Sequence, residues 1–461
     1  MKLTSLPPGM RTFATVWFGQ LVSMIGTGMT QFALSVWVLQ QTGNATAYGI
    51  VLFFGMLPGI LFSLVSGVVA DRWDRRRTMI AADTVAALGT LSVALLYWAD
   101  RLEVWHICAA VAISATAQAF QGPAWGSMLA LLVPEQHLGR ASGMNSMARS
   151  AQQITGPLLG GVLVLTLGLG AVFLIDFITF FAALGCLAAV KFPAVPRTEA
   201  ARQAAGSILR EAKYGWQYVW QFPALRAHLT YFAGVNFILS FVWVLFPPLV
   251  LSFSNAAGMG TVAAAYGVGM LAGGMVMTAW GGPQRRVLGM LGGGVGAGVG
   301  MMGMGLLPNV GTIAFMLALL CFGLPILNGC FARIWLPRIA PDVQGRAVAA
   351  IQVTSWSTQP IAYLAAGPIA DRVFRPLLME GGPLANSIGQ VIGTGPGRGI
   401  GLMLILGGIL LMAVTAVFAL VPSFYGAEEN VPIVAKPADA APPAVEPEPE
   451  PVAEGPAPVP A

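Results

Sequence analysis

Long apolar runs separated by short polar loops follow one another along nearly the whole chain. A helix that crosses a membrane needs about 20 mostly apolar residues. Runs of this kind lie near positions 13–39, 46–70, 78–98, 105–133, 143–167, 171–191, 228–253, 260–281, 287–307, 312–336, 346–370 and 399–421. With 56% hydrophobic and 9% charged residues, the chain could not cover a soluble core with polar side chains. The sequence therefore predicts an all-α polytopic membrane protein with twelve transmembrane helices.

The basic residues predict the orientation of these helices. Polytopic proteins retain Lys and Arg on the cytoplasmic side of the membrane. With the N-terminus inside, the outer side keeps only Arg101, Arg372, Arg375 and Arg398. We therefore expect both termini in the cytoplasm. The formal charge of +5 comes from short loops and not from a basic stripe, so no nucleic-acid partner is expected.

Polar segments divide the chain into four predicted parts. Residues 1–191 hold the first six spans, and residues 228–421 hold the last six. Between them, residues 192–227 form a predicted cytoplasmic linker with an amphipathic helix from Ile208 to Trp220. Residues 422–461 are rich in Pro and Glu, and we expect them to form a disordered cytoplasmic tail.

The two groups of six spans resemble each other at offsets of 207 to 211 residues. The matched segments are Arg75-Arg76 with Arg285-Arg286, Pro134–Ala141 with Pro341–Ala347, and Gly156-Pro157 with Gly367-Pro368. Because each group has an even number of spans, both copies have the same orientation in the membrane. A parallel repeat about an axis along the membrane normal is typical of transporters built from two similar halves.

A charged loop between spans two and three, Gly67-Val-Val-Ala-Asp-Arg-Trp-Asp-Arg-Arg-Arg77, is similar to the signature of the major facilitator superfamily. Its Asp-Arg-Trp-Asp-Arg-Arg-Arg segment resembles the drug–proton antiporter branch, which contains macrolide and enterobactin exporters. Further segments that resemble this branch are Val133-Pro-Glu135, Asn145-Ser146, Gly156-Pro157, Phe173–Phe177 and Gly393–Gly399. The resemblance implies a secondary transporter in a bacterial cytoplasmic membrane that works by alternating access and proton antiport.

The resemblance also implies that the charged loop is a conformational latch. Asp71 lies at the cytoplasmic end of span two, where it can face the positive amino end of span eleven while that side is closed. The predicted latch residues are Gly67, Asp71, Arg72, Arg75, Arg76 and Glu135. The alternative is that the cluster only fixes the topology.

Proton antiport requires a group that changes its protonation as its access changes. Ionisable residues inside membrane spans are costly and are therefore functional candidates. Asp83 and Asp176 are the predicted proton carriers, although each lies only about five residues inside its span. The alternative is that both are interfacial anchors near helix amino ends.

Polar and aromatic residues recur at helical spacing on several spans, and each set forms one helix face. Asn145, Arg149 and Gln152 on span five have counterparts in Gln352, Trp356 and Gln359 on span eleven at an offset of 207. Faces at equivalent positions of a repeat should point at a central cavity, although hydrogen bonds between helices are the alternative. The predicted cavity residues are Gln20, Met24, Gln31, Gln118, Gln121, Trp125, Arg149, Gln152, Asn236, Ser240, Trp243, Gln352, Trp356, Gln359 and Tyr363.

A pocket of this composition suits a large hydrophobic or amphipathic ligand. We expect export of a drug or of a macrolide-like or siderophore-like natural product. A lipid or lysolipid flippase of the same fold, and a non-transporting membrane scaffold or sensor, are the alternatives. The expected partners are this small molecule, protons and membrane lipid, and we expect a monomer. The chain has no metal-spaced His or Cys, phosphate loop or nucleophile motif, so no cofactor and no enzymatic activity are expected.

Overall fold

The computed structural model describes residues 8–72, 74–134, 137–190, 216–339 and 344–429. Across these residues every regular element is a helix, which confirms the predicted all-α class. The first half contains α1 Pro8–Thr42, α2 Ala45–Arg72, α3 Arg75–Trp98, α4 Val104–Leu132, α5 Leu138–Thr166 and α6 Leu169–Ala189. The second half contains α7 Pro223–Leu251, α8 Ala256–Trp280, α9 Arg286–Leu306, α10 Val310–Trp335, α11 Gln344–Trp356, α12 Gln359–Ile369, α13 Arg375–Leu378, α14 Ile388–Ile392, α15 Arg398–Ala419 and α16 Pro422–Glu429.

The eleventh predicted span is divided into α11 and α12. Pro360 stands near the start of α12, where it lacks the N–H that would continue the hydrogen bonding of α11. At the break, the hydroxyl of Thr358 donates to the carbonyl of Ala233 at 3.0 Å, which fastens the break to α7. A π-helical turn, Ala370–Phe374, then extends α12 towards α13.

By length and composition, 9 helices in the described part of the chain are able to cross a membrane: α1, α2, α3, α6, α7, α8, α9, α10 and α15. Helices α4 and α5, and the pair α11 and α12, coincide with the remaining predicted spans. The structure therefore describes a multi-pass membrane protein. The count of twelve spans and the cytoplasmic location of both termini stay predictions.

Helix packing repeats between the halves. In the first half α4 packs on α2 and α3, and in the second half α10 packs on α8 and α9. Similarly, α6 packs on α1 and α3, as α15 packs on α7 and α9. Across the halves, α5 packs on α8 while α2 packs on α12. Exchanging the halves converts each of these contacts into its counterpart, as the sequence repeat predicts.

Glycines allow some of these helices to approach backbone to backbone, which is common in membranes. A Cβ at Gly293 of α9 would stand 2.8 Å from the carbonyl oxygen of Gly323 in α10. On the other side of α9, a Cβ at Gly298 would stand 3.0 Å from the carbonyl oxygen of Gly408 in α15. These contacts hold α9 tightly between its two neighbours.

The predicted part boundaries need two corrections. Helix α7 begins at Pro223, earlier than the predicted boundary at 228, because proline is well suited to a first helical turn. The prediction of disorder from 422 onward is wrong for α16, whose Phe424 is fully buried against His228 and Tyr231. Of the predicted linker helix, residues 216–220 are described and are helical. The rest of that helix and residues 430–461 lie outside the described residues.

Candidate functional site

A cavity of about 920 Å³ lies between the two halves. Helices α1 to α6 form most of its wall, and α7, α8 and α12 complete it from the second half. Among the described lining residues, the charged ones are Asp83, Arg149 and Asp176, all from the first half. The second half contributes aromatic, apolar and amide side chains, including Trp243, Tyr266 and Gln359.

Most of the predicted cavity residues line this space. They are Gln20, Met24, Gln31, Gln118, Gln121, Trp125, Arg149, Gln152, Trp243, Gln359 and Tyr363. Each lies on a helix whose polar or aromatic residues recur every three or four positions, and the prediction is based on this helical periodicity. Both predicted proton carriers, Asp83 and Asp176, also line the cavity.

Asn236, Ser240, Gln352 and Trp356 do not line this cavity. The amide of Gln359 donates to the side-chain oxygen of Asn236 at 3.2 Å, so this pair joins α12 to α7. The hydroxyl of Ser240 is buried and donates to the carbonyl of Asn236 at 2.6 Å. Gln352 and Trp356 are exposed on α11. For Asn236, the alternative of hydrogen bonding between helices describes the structure better, whereas Ser240 forms its hydrogen bond within α7.

Asp83 lies further from the start of its helix than its apolar run predicts. Helix α3 begins at Arg75, where Asp74 caps it by accepting from the backbone N–H of Arg77 at 2.8 Å. Asp83 is therefore about eight residues, or roughly 12 Å, from the helix start. Its two carboxylate oxygens each accept one amide N–H, from Gln20 at 2.9 Å and from Gln121 at 2.6 Å. Three helices thus meet at this one side chain.

Asp176 has a different set of neighbours. Its carboxylate oxygens accept hydrogen bonds from the hydroxyls of Thr27 and Thr90, both at 3.3 Å. The buried hydroxyl of Thr30 is close to the same carboxyl but makes no hydrogen bond. Asp176 is 5% exposed, and it lies about seven residues inside α6. Both acids are therefore part of the cavity wall.

One end of the cavity is closed by contacts between the amino end of α2 and the residues that directly follow α12. The carboxylate of Asp371 accepts from the hydroxyl and the N–H of Thr46 at 2.6 and 2.9 Å, and from the N–H of Ala45 at 3.3 Å. It therefore caps the amino end of α2 from the opposite half. Beside it, the guanidinium of Arg375 donates to the carbonyl of Gly43 at 3.4 Å. We refer to these contacts of Asp371 and Arg375 as the end clasp.

Contacts between α5 and α8 close the same end. A Cβ at Gly161 would stand 2.8 Å from the carbonyl oxygen of Ala256, and one at Gly260 would stand 2.5 Å from that of Pro157. The amide of Gln153 donates to the hydroxyl of Tyr266 at 3.2 Å, further along the same pair of helices. At the opposite end, α11 packs on α7 of its own half.

The predicted latch lies at that opposite end. Asp71 and Arg72 are the last residues of α2 and Arg75 is the first of α3, but their side chains lie outside the described part of the structure. The surroundings of Gly67 and all of Glu135 also lie outside it. The guanidinium of Arg76 donates to the carbonyls of Leu187 and Ala188 at 3.1 and 3.0 Å. Arg76 thus caps the carboxyl end of α6 and joins it to the start of α3.

Asp371 was missed in the sequence analysis, although a sequence pattern marks it. Gly367-Pro-Ile-Ala-Asp-Arg372 follows the same pattern as Gly67-Val-Val-Ala-Asp-Arg72. Asp71 lies at the end of α2, and Asp371 lies in the π-helical turn that follows α12. The offset between them is 300 residues and so differs from the repeat offset. The internal repeat therefore does not identify Asp371.

Comparisons with known proteins agree with this architecture. Residues 16–363 match the sequence model of the Major Facilitator Superfamily. Macrolide efflux protein A of Streptococcus pyogenes is 27% identical over 370 residues, which cover 78% of this chain and 90% of that protein. Multidrug efflux pump Tap of Mycolicibacterium fortuitum is 27% identical over 371 residues, covering 77% of this chain and 88% of that protein.

Solved structures show the same fold. A bacterial homolog of the human lysosomal transporter Spinster aligns with a TM-score of 0.65 over 92% of this chain and 98% of that one, at 14% identity. An auto-inhibited POT family peptide transporter aligns with a TM-score of 0.65 over 93% of this chain and 99% of that one, at 15% identity.

Proposed function

Because the chain belongs to the Major Facilitator Superfamily, we propose that it exports hydrophobic or amphipathic small molecules from a bacterial cytoplasm by proton antiport. In this proposal residues 1–191 and 228–421 are two rigid halves that rock about the cavity. The protein works as a monomer in the cytoplasmic membrane. Its partners are the exported molecule, protons and the surrounding lipid.

The cavity between the halves, closed at one end, is the observation that carries the proposal. In the predicted orientation, the end clasp lies on the outer side, so this conformation faces inward and receives its ligand from the cytoplasm. Alternating access then requires the end clasp to open while the opposite end closes. We assign the closing of the cytoplasmic end to Asp71 and the amino end of α11, as the predicted latch requires.

The composition of the cavity supports a large, weakly polar ligand. Its volume of about 920 Å³ is near the upper limit of ordinary ligand pockets, about 1,000 Å³. Trp243 packs edge-on against Tyr266 with ring centroids 4.9 Å apart, and Met24 adds an adaptable apolar surface. The names of the two bacterial relatives, a macrolide efflux protein and a multidrug efflux pump, support export of such compounds.

Proton coupling is assigned to the two buried acids. Asp83 and Asp176 line the cavity on neighbouring helices α3 and α6, so both can exchange access between the two sides as the halves rock. One proton moving across 100 mV releases about 2.3 kcal/mol, which supports substantial accumulation.

Uptake into everted membrane vesicles tests this function. Vesicles carrying the protein should accumulate hydrophobic drugs when the lumen is acidic, and nigericin should abolish the accumulation. Trp243→Leu should lower the uptake severalfold, whereas Trp280→Leu, which changes a tryptophan that is 60% exposed outside the cavity, should not. Uptake equal to that of vesicles lacking the protein would contradict export. Uptake insensitive to nigericin would contradict antiport only, and selective uptake of labelled lysolipid would favour the flippase.

A further inference from the structure

The two acids of the cavity differ in the chemistry of their neighbours. The neighbours of Asp83 are amide N–H groups, at 2.6 and 2.9 Å. The neighbours of Asp176 are threonine hydroxyls. Those of Thr27 and Thr90 each donate a hydrogen bond to it at 3.3 Å. A hydroxyl can donate or accept after a simple rotation, so it suits both protonation states of a carboxyl group. Short hydrogen bonds from two amides instead favour the ionised carboxylate.

The negative charge of Asp83 has no basic partner. No Lys, Arg or His of the described residues forms an ion pair with it, and its hydrogen-bond partners are the two glutamines. The other charged residues described in the cavity wall are Asp176 and Arg149. An ionised acid in a membrane interior normally pairs with a cation. Asp83 therefore has unused capacity for a positively charged ligand.

An aromatic and thioether layer adjoins the three residues of this network. Trp17 is three residues from Gln20 on α1, Met79 is four residues from Asp83 on α3, and Trp125 is four residues from Gln121 on α4. Each pair lies on one helix face, and all of these side chains line the cavity. Helix α4 runs antiparallel to α1 and α3. Trp17, Met79 and Trp125 therefore all lie about one helical turn from the Gln20–Asp83–Gln121 network, on the same side of it. Trp17 and Trp125 also pack against the apolar cluster that contains Met79.

We propose that Asp83 and this layer form a subsite for an organic cation, such as the protonated amine of an amphipathic substrate. The carboxylate balances the positive charge, and the indole faces of Trp17 and Trp125 attract it by cation–π interaction. Gln20 and Gln121 hold the carboxylate towards the cavity. The inference rests on the proposed export function and names the substrate class of the same cavity.

Equilibrium binding of two ions of the same shape tests the subsite. Tetraphenylphosphonium and tetraphenylborate differ mainly in the sign of their charge, and binding to the purified full-length protein needs no proton gradient. The protein should bind the cation at least about tenfold more tightly than the anion, and Asp83→Asn should remove this preference. Asp176→Asn should retain the preference for the cation. Asp176 is hydrogen-bonded to Thr90, which lies about 10 Å from Asp83 along α3.

A second variant separates a lost subsite from a misfolded protein. Trp125→Leu keeps the carboxylate, so it should weaken cation binding only severalfold and leave anion binding unchanged. Thermal unfolding checks that all three variants are folded. Equal binding of both ions, absence of cation binding, or an unchanged preference in folded Asp83→Asn each overturns the subsite. Drug uptake that persists in vesicles under any of these results leaves the export function standing.

Discussion

A single methyl group at Gly367 should keep the end of the cavity at the end clasp from closing. Gly367 lies where α12 crosses the amino end of α2. A Cβ at this position would stand 2.5 Å from the nitrogen of Thr46 and 2.8 Å from the carbonyl carbon of Ala45. Both are backbone atoms, which no change of rotamer can move. Because carbon contacts are normally about 3.5–4.0 Å, the two helices must separate by about 1 Å.

Gly367→Ala should raise the free energy only of the conformation in which this end of the cavity is closed. Forcing an extra group into a well-packed contact typically costs about 1–3 kcal/mol. When the end clasp opens, α2 and α12 separate and the methyl group meets no backbone. At 1.4 kcal/mol for each factor of ten, the ratio of open to closed conformations should rise about 5- to 150-fold.

Distances between spin labels measure this ratio directly. Arg101→Cys follows α3 and Leu307→Cys follows α9, so the two labels report the separation of the halves at the clasp end. The labels go into a chain whose four free cysteines, Cys108, Cys186, Cys321 and Cys330, are replaced. Gly367→Ala should add a population at longer distance and should reduce transport.

Gly274→Ala is the matched control for this experiment. Gly274 also lies inside a long helix, α8, but a Cβ there would meet no atom within 4 Å. Its distance distribution should equal that of the parent chain. If Gly367→Ala folds, accepts both labels and gives the distribution of the Gly274→Ala control, the proposed role of this helix crossing is refuted.

Other variants test the neighbouring interpretations. Asp371→Asn removes the charge that caps α2 and should shift the same label distances towards the open form about tenfold, whereas Glu380→Gln, a change outside the end clasp, should not. Phe424→Ala should destabilise the protein by about 3 kcal/mol in thermal unfolding, because this fully buried ring docks α16 onto α7. Deletion of residues 430–461 should leave both unfolding and drug uptake unchanged, and loss of uptake would instead favour a role for the tail. Asp176→Asn should weaken the response of uptake to the pH gradient while ligand binding persists, because Asp83 remains as the second proposed proton carrier; an unchanged response would exclude Asp176 as a carrier.

The helices and most cavity residues could be predicted because they depend on local patterns. Long apolar runs define the spans, and polar residues spaced three or four apart, such as Gln118 and Gln121, identify a helix face. The prediction of a major facilitator fold is confirmed, since the family match and the solved structures agree with it.

Other features depend on contacts between distant segments and could not be predicted locally. The hydrogen bond between Gln359 and Asn236 turns two predicted cavity residues towards each other, 123 positions apart. Phe424 belongs to a segment whose composition indicates disorder, yet it is buried because α7 offers an apolar surface. The depth of Asp83 depends on a helix that starts earlier than its apolar run, because Asp74 caps it.

The charged residues described in the cavity wall all belong to the first half, and this has a consequence for how selectivity evolves. A bound molecule would remain in contact with the charged residues of the first half. The second half, whose described lining residues are uncharged, would move relative to it. Chimeras that combine the first half of this protein with the second half of a relative should therefore inherit the cargo of the first-half donor and the turnover rate of the second. Natural variation in what such pumps carry is then expected to accumulate before residue 191, and variation in how fast they cycle after it.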